Sequence, residues 1–154
     1  IKILKKELYN PGLKSVYLAE MARGNFFSNH SFVFRRETHT TVGFFDESLP
    51  VRGDWDFNLR FLEHYDIGVI MKPLVNWHHR TNGIGAQSNS VVGQNNIHDE
   101  YDALIRNKYL RRDLKEGKIG LGLLLNFPQN RQMFLTKGRK QKLYGFIKKL
   151  FSRN

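Results

Sequence analysis

Charge is distributed unevenly along this chain of 154 residues, and the imbalance limits what the chain can fold into. Residues 1–100 contain 11 basic and 11 acidic residues, whereas residues 101–154 contain 14 basic and 3 acidic residues. The whole net charge of +11 therefore lies in the last third of the chain. A charge-balanced stretch can bury a core, while a basic stretch attracts polyanions. We therefore expect a globular body followed by a basic segment.

Composition narrows the class of protein further. Hydrophobic residues make up 40% of the chain and charged residues 25%, which is typical of a globular domain rather than a disordered one. The absence of cysteine excludes disulfides, thiolate metal sites and a cysteine nucleophile, and it fits a reducing compartment. The longest apolar run, at 119–125, is too short to span a membrane, and no secretion signal is visible. We therefore expect a cytoplasmic location.

Hydrophobic periodicity predicts a well-defined helix at 54–64. Trp55, Leu59 and Leu62 recur on one stripe at helical spacing, and Asp54 stands where a helix N-cap belongs. Shorter helices are predicted at 15–23 and 37–42. Aromatic and β-branched residues instead predict strands at 31–34, 67–71 and 74–78. This mixture of elements predicts the α/β class.

Beyond residue 92 the pattern is helical, with interruptions at Gly117 and Gly120 and a break at Pro128. We divide the chain into a body at 1–92 and a basic helical tail at 93–154. Within the tail, residues 139–151 place apolar side chains on one helical face and lysines on the other. A basic amphipathic helix of this kind favours contact with an anionic membrane surface, but its apolar face could equally pack on the body. Both interpretations stay open.

A series of short motifs follows in a fixed order between residues 35 and 80. The series comprises Arg-Arg at 35–36, Val-Gly-Phe-Phe-Asp-Glu at 42–47, Asp-Trp-Asp at 54–56, Leu-Arg at 59–60, Pro-Leu at 73–74 and His-His-Arg at 78–80. Their order and spacing resemble the acceptor-side half of family 2 glycosyltransferases, which have the GT-A fold. The resemblance covers residues 25–80, about a third of the chain.

The resemblance implies a partial GT-A-like fold that lacks the N-terminal nucleotide-binding half and carries a helical C-terminal extension. It implies inverting transfer of a sugar from a nucleotide-sugar donor to a saccharide or lipid-linked acceptor, in cell-surface polysaccharide synthesis. The chain begins with Ile1 and supplies no donor-binding half, so we expect a fragment that is inactive alone and prone to self-association. The basic tail would hold the enzyme peripherally on the inner membrane face.

Asp54 is the candidate catalytic residue. An inverting transfer needs a base that takes the proton from the attacking acceptor hydroxyl, and a carboxylate within hydrogen-bond reach can do so. The resemblance implies that Asp54 is this base. Its position at the start of a helix is also explained by simple capping, and the two roles are compatible.

Four further residues are candidates for substrate binding within the body of the chain. Asp46 lies in the turn and would shape the acceptor pocket through hydrogen bonds to backbone amides. Trp55 could stack on a sugar ring or pack in the core. Asp56 and Arg60 could contact substrate, or they could simply form an i,i+4 ion pair.

The histidines and arginine at 78–80 are candidates for the diphosphate side of the reaction. His78 or His79 would bind the metal or the diphosphate, and Arg80 would neutralise the leaving group, although ordinary surface positions explain them equally well. A divalent metal, Mg or Mn, is expected for the complete enzyme. Asp54 and Asp56 are not its ligands, because positions i and i+2 on a helix diverge by about 200°.

Two other classes of protein remain open. The first is a non-catalytic scaffold derived from a glycosyltransferase. The second is a basic module that binds an anionic membrane or nucleic acid through the tail. Nucleic acid is disfavoured, because no recognised motif is present and Tyr101 and Tyr109 fall on the apolar face of a predicted helix.

Overall fold

A computed structural model describes residues 6–78 and 95–127 of the chain. The described residues form five α-helices and two short 3-10 turns. In chain order the elements are α1 (Leu18–Met21), the 3-10 turns Asn29–Ser31 and Arg36–Thr38, α2 (His39–Val42), α3 (Gly53–Leu62), α4 (Asn95–Glu116) and α5 (Leu121–Asn126). The prediction of a helix near 54–64 is confirmed by α3, and the helical pattern predicted beyond residue 92 is confirmed over 95–116 and 121–126 by α4 and α5.

Helix α3 lies at the centre of the fold and buries side chains on most of its circumference. Trp55 and Leu59 enter the larger of two apolar clusters, together with residues of α1, α4 and α5. Phe57 and Phe61 enter the smaller cluster, against Val42 at the end of α2. Because both clusters meet on α3, this helix joins the two halves of the core.

Polar contacts with the core helices reinforce the larger cluster. The Trp55 indole N–H donates to the Met21 carbonyl at 2.7 Å. The Arg106 guanidinium lies over the Trp55 ring, 5.0 Å from its centroid, and donates to the Ala22 and Leu125 carbonyls. Arg106 also pairs with Asp102 one turn earlier on α4. A buried arginine is tolerated here because its donors have acceptors on several elements.

Helices α4 and α5 form a tightly packed hairpin. Gly122 lies against the Tyr109 backbone so closely that a Cβ atom at this position would collide with it. Asp113 of α4 accepts a hydrogen bond of 3.1 Å from the Leu123 backbone N–H and so caps the first turn of α5. Both helices contribute to the same core as α1 and α3, although the charge pattern had grouped them with the basic tail.

The strands predicted at 31–34, 67–71 and 74–78 are not formed as paired strands within the described residues. Ser31 ends a 3-10 turn, and Phe32 is extended without a ladder partner. The other two segments have no regular secondary structure. A strand requires a neighbour paired along its backbone, and no strand is assigned to these segments within 6–78 and 95–127. The α/β class and the partial GT-A-like fold therefore stay predictions.

Among residues 6–78 and 95–127, no helix has the combination of length and apolarity that crossing a bilayer requires. The amphipathic segment predicted at 139–151 lies outside the described residues.

Candidate active site

Asp54 is the second residue of α3, and its carboxylate is half-buried. The Trp55 backbone N–H donates to Oδ1 at 2.8 Å, and the Asn25 side-chain amide donates to Oδ2 at 2.8 Å. Burial raises the pKa of Asp54, and the backbone hydrogen bonds together with the nearby Arg52 charge only partly offset that effect. A raised pKa makes the carboxylate a stronger base at neutral pH.

The prediction that Asp54 is the N-cap of the helix is wrong. Arg52 takes that position in a left-handed conformation with φ of 63°, and its carbonyl accepts the first helical hydrogen bond, from Asp56 N–H at 3.0 Å. The Arg52 guanidinium donates to the His98 carbonyl at 2.8 Å, which ties the helix start to α4. Asp54 is thereby placed inside the first turn, where exposed amides and the helix dipole favour a negative charge.

Asp56 points away from Asp54 and lies fully buried between α3 and α4. It accepts hydrogen bonds from Arg60 Nε at 3.0 Å, the Tyr109 hydroxyl at 3.0 Å and Lys108 Nζ at 3.3 Å. Burial, and next the Asp56 charge, raise the pKa of Tyr109 well above its ordinary value. These contacts show Asp56 in an internal ion-pair network, which does not favour the predicted contact with substrate.

Arg60 braces the turn at 42–47 against α3. Beyond its bond to Asp56, its guanidinium donates to the Val42 carbonyl and, at 2.8 Å, to the Phe44 carbonyl. Gly43 lies between these two acceptors with φ of 81°, a conformation that glycine adopts without strain. Arg60 therefore connects the turn at 42–47 with α3. Its guanidinium donates to Asp56 and to backbone carbonyls, and these contacts do not favour the predicted role in substrate binding.

Asp46 organises the end of the same turn. Its Oδ1 accepts the Ser48 hydroxyl at 2.6 Å and the Ser48 backbone N–H at 3.2 Å, while Oδ2 accepts Lys108 Nζ at 3.1 Å. The Ser48 hydroxyl, followed by Lys108, lowers the pKa of Asp46. The predicted hydrogen bond to a backbone amide is thus present, whereas the acceptor pocket stays a prediction.

An open pocket of about 310 Å³ lies between this turn and α4. Asp46 and Ser48 line one side, and Tyr101, Lys108 and Arg111 line the other. Asp54 is not among its lining residues. The candidate base is therefore not part of this pocket.

The remaining predicted residues have different outcomes. Of the two interpretations open for Trp55, core packing is the one that the structure shows. His78 is exposed at the end of the first described range, and His79 and Arg80 lie outside the described residues. Residues 6–78 and 95–127 contain no group of three side chains suited to hold a metal ion. The divalent metal therefore stays a prediction for a complete enzyme.

Asn25 is the residue that sequence reasoning missed. It precedes the aromatic residues at 26 and 27 in a segment without regular structure, and it reaches Asp54 across 29 positions of the chain. A neutral amide outside a periodic element carries no charge or spacing signal that would have marked it.

Comparison with known proteins identifies no relative of this chain. Neither the protein-family models, nor the curated proteins, nor the solved structures contain a match to this chain.

Proposed function

We propose that this chain is the acceptor-side part of an inverting glycosyltransferase of the kind that family 2 represents, with Asp54 as its general base. The observation that carries the proposal is the state of the Asp54 carboxylate. It is half-buried, it is held by a donor on each oxygen, and burial raises its pKa. These are properties of a carboxylate prepared to accept a proton.

The reaction follows from this assignment. The acceptor hydroxyl oxygen forms a bond to the anomeric carbon of the donor sugar, and the bond from that carbon to the diphosphate oxygen breaks. The nucleoside diphosphate leaves with the electron pair, and the hydroxyl proton passes to the Asp54 carboxylate. Attack opposite to the leaving group inverts the configuration at the anomeric carbon.

The assembly of the motifs around α3 supports the proposal. Arg60 ties the turn at 42–47 to this helix, and Lys108 bridges Asp46 of the turn and Asp56 of the helix. The turn at 42–47 and the motifs of α3 at 54–60 are thus held together by direct contacts. Exposed apolar side chains at Val33, Ile70 and Met71 fit the expectation of an incomplete fold or of self-association.

The proposed function requires a donor-binding half, a divalent metal and a membrane surface in addition to the described residues. A donor-binding half would supply the nucleotide-sugar site and the divalent metal, which would neutralise the diphosphate charge. Residues 139–151 would hold the protein on an anionic membrane surface near a lipid-linked or polysaccharide acceptor. This arrangement predicts a cytoplasmic protein at the inner membrane face.

The test measures sugar transfer by the complete product of the gene that encodes this chain. Release of nucleoside diphosphate would be followed with a panel of nucleotide sugars and with saccharide and lipid-linked acceptors. Asp54→Asn should lower turnover by roughly 10²–10⁴-fold, because general base catalysis contributes about that much. Asp66→Asn is the matched control, since Asp66 is an exposed carboxylate beyond α3, and it should keep wild-type turnover.

Two results would support other functions. Equal turnover by wild type and the Asp54→Asn variant would contradict the assignment of Asp54 as the general base. It would favour a glycosyltransferase-derived scaffold. The absence of transfer with every donor, together with salt-dependent binding to random DNA in preference to anionic vesicles, would favour a nucleic-acid module. The net charge of +11 on residues 101–154 is the observation that supports nucleic-acid binding as an alternative function.

A further inference from the structure

We propose that Asn25, supported by Asn58, is a positioning residue that fixes the Asp54 carboxylate for proton transfer. This inference rests on the proposed function, because it assigns a role to two amides through the candidate base. The Asn25 amide donates to Asp54 Oδ2 at 2.8 Å, and the Asn58 amide donates to Asn25 Oδ1 at 3.2 Å. The three side chains therefore form a continuous chain of hydrogen bonds.

The placement of Asn58 explains how the chain of bonds is built. Asn58 is buried and lies one helical turn after Asp54, so both side chains project from the same face of α3. Asn25 comes from the segment after α1 and bridges the two. A buried amide is costly unless it has partners, and Asn58 has one in Asn25.

The polarity of this chain of bonds is fixed by chemistry. An ionised carboxylate only accepts hydrogen bonds, so Asn25 must turn its NH₂ group toward Asp54. The Asn25 carbonyl oxygen then faces Asn58, which must donate. The charged form of Asp54 therefore selects the orientation of Asn25, and Asn58 supports that orientation by donating to the Asn25 carbonyl oxygen.

Two hydrogen bonds fix the orientation of the Asp54 carboxylate plane. Asn25 holds Oδ2 while the Trp55 backbone N–H holds Oδ1, and rotation of the carboxylate would break both bonds. A carboxylate offers about four lone-pair positions, so further positions remain for an acceptor hydroxyl. A hydrogen bond donated to a carboxylate favours its charged form, so the contact with Asn25 is expected to favour ionised Asp54.

The first experiment follows the titration of the Asp54 carboxyl carbon by NMR in the chain of 154 residues. Asn25→Ala removes a donor to the charged form, and we expect the Asp54 pKa to rise by about one pH unit, since a hydrogen bond to a charged group contributes about 1.5 kcal/mol. Asn29→Ala is the matched control at an exposed asparagine in the next 3-10 turn, and it should leave the pKa unchanged. An unchanged Asp54 pKa in a folded Asn25→Ala variant would overturn the inference.

A second measurement needs no substitution and applies if Asn25→Ala does not fold. In the wild-type chain, the side-chain amide signals of Asn25 should shift with the same midpoint as the Asp54 carboxyl carbon. The amide signals of Asn29 should not follow that midpoint. Asn25 signals that are insensitive to the Asp54 titration would contradict the hydrogen bond and the positioning role with it.

The kinetic readout separates positioning from general stability. In the complete gene product, Asn25→Ala should shift the ascending limb of the kcat/KM pH profile to higher pH. The shift should equal the rise in the Asp54 pKa measured by NMR. A variant that only lowered the amount of folded enzyme would reduce kcat/KM equally at all pH values. The midpoint of the ascending limb would then stay unchanged. The NMR titrations require no turnover, so failure of the positioning role and failure of the proposed function give different results.

Discussion

The Tyr109 hydroxyl donates a 3.0 Å hydrogen bond to the buried Asp56 carboxylate and so joins α4 to α3. Fifty-three positions separate the two residues in the chain. Lys108 also reaches Asp56, at 3.3 Å, and it reaches Asp46 of the motif turn at 3.1 Å. The helix that follows the motif region thus helps to fix the turn and helix on which the candidate base is built.

Tyr109→Phe tests the contribution of this bond to stability. The substitution removes one donor from a buried charge, and we expect the free energy of unfolding to fall by about 1–3 kcal/mol. Tyr65→Phe is the matched control, because the Tyr65 hydroxyl donates to Thr41 at 3.1 Å on the surface and its loss should cost less than about 0.5 kcal/mol. Urea unfolding of both variants measures the difference, and equal values would argue against a buried network.

Arg60→Lys tests the brace between α3 and the turn at 42–47. Lysine keeps the charge but cannot reproduce the planar fork that contacts Asp56, Val42 and Phe44. We expect faster hydrogen exchange and faster proteolysis within the turn, with a loss of about 1–3 kcal/mol in stability. Arg23→Lys, at an exposed arginine, should change neither rate. Unchanged exchange in the turn would mean that Arg60 does not hold it.

Asp46 gives a pH dependence whose sign follows from its lowered pKa. A carboxyl with a lower pKa in the folded state stabilises the fold above its unfolded value of 3.8, and this stabilisation is lost as pH falls through the folded pKa. The difference in unfolding free energy between wild type and Asp46→Asn should therefore be largest at pH 7 and shrink below pH 3.8. Urea titrations at several pH values measure it, and a difference that grows on acidification would reverse the assignment.

Local pattern was sufficient to predict α3 and one of its ion pairs. The helix follows from the periodic placement of Trp55 and Leu59, and the pair of Asp56 with Arg60 follows from their i,i+4 spacing. The other side-chain partners of Asp56 and Asp54 lie far away in the chain, at Tyr109 and Asn25, so no window of local sequence could have paired them. The predicted strands depend on neighbours in the same way, and composition alone could not supply them.

The N-cap error has a similar origin. Capping preferences favour aspartate over arginine, and the sequence therefore pointed to Asp54. The contacts of Arg52 with His98 and Asp102 of α4 stabilise a left-handed residue at the helix start, and these tertiary contacts override the local preference. Asp54 therefore lies two positions inside the helix start, and its carboxylate accepts a hydrogen bond from Asn25.

The basic segment predicts binding to anionic membranes with a defined charge dependence. Each lysine near an anionic surface contributes about 1 kcal/mol, so replacing Lys142, Lys148 and Lys149 with glutamine should weaken binding to phosphatidylserine vesicles by roughly 100-fold. The matched control replaces Lys6, Lys14 and Lys72 with glutamine, which makes the same change in net charge within the balanced body. Vesicle sedimentation at two salt concentrations measures both variants. If the two triple variants bind equally weakly, net charge alone drives adsorption and the amphipathic segment at 139–151 has no particular role.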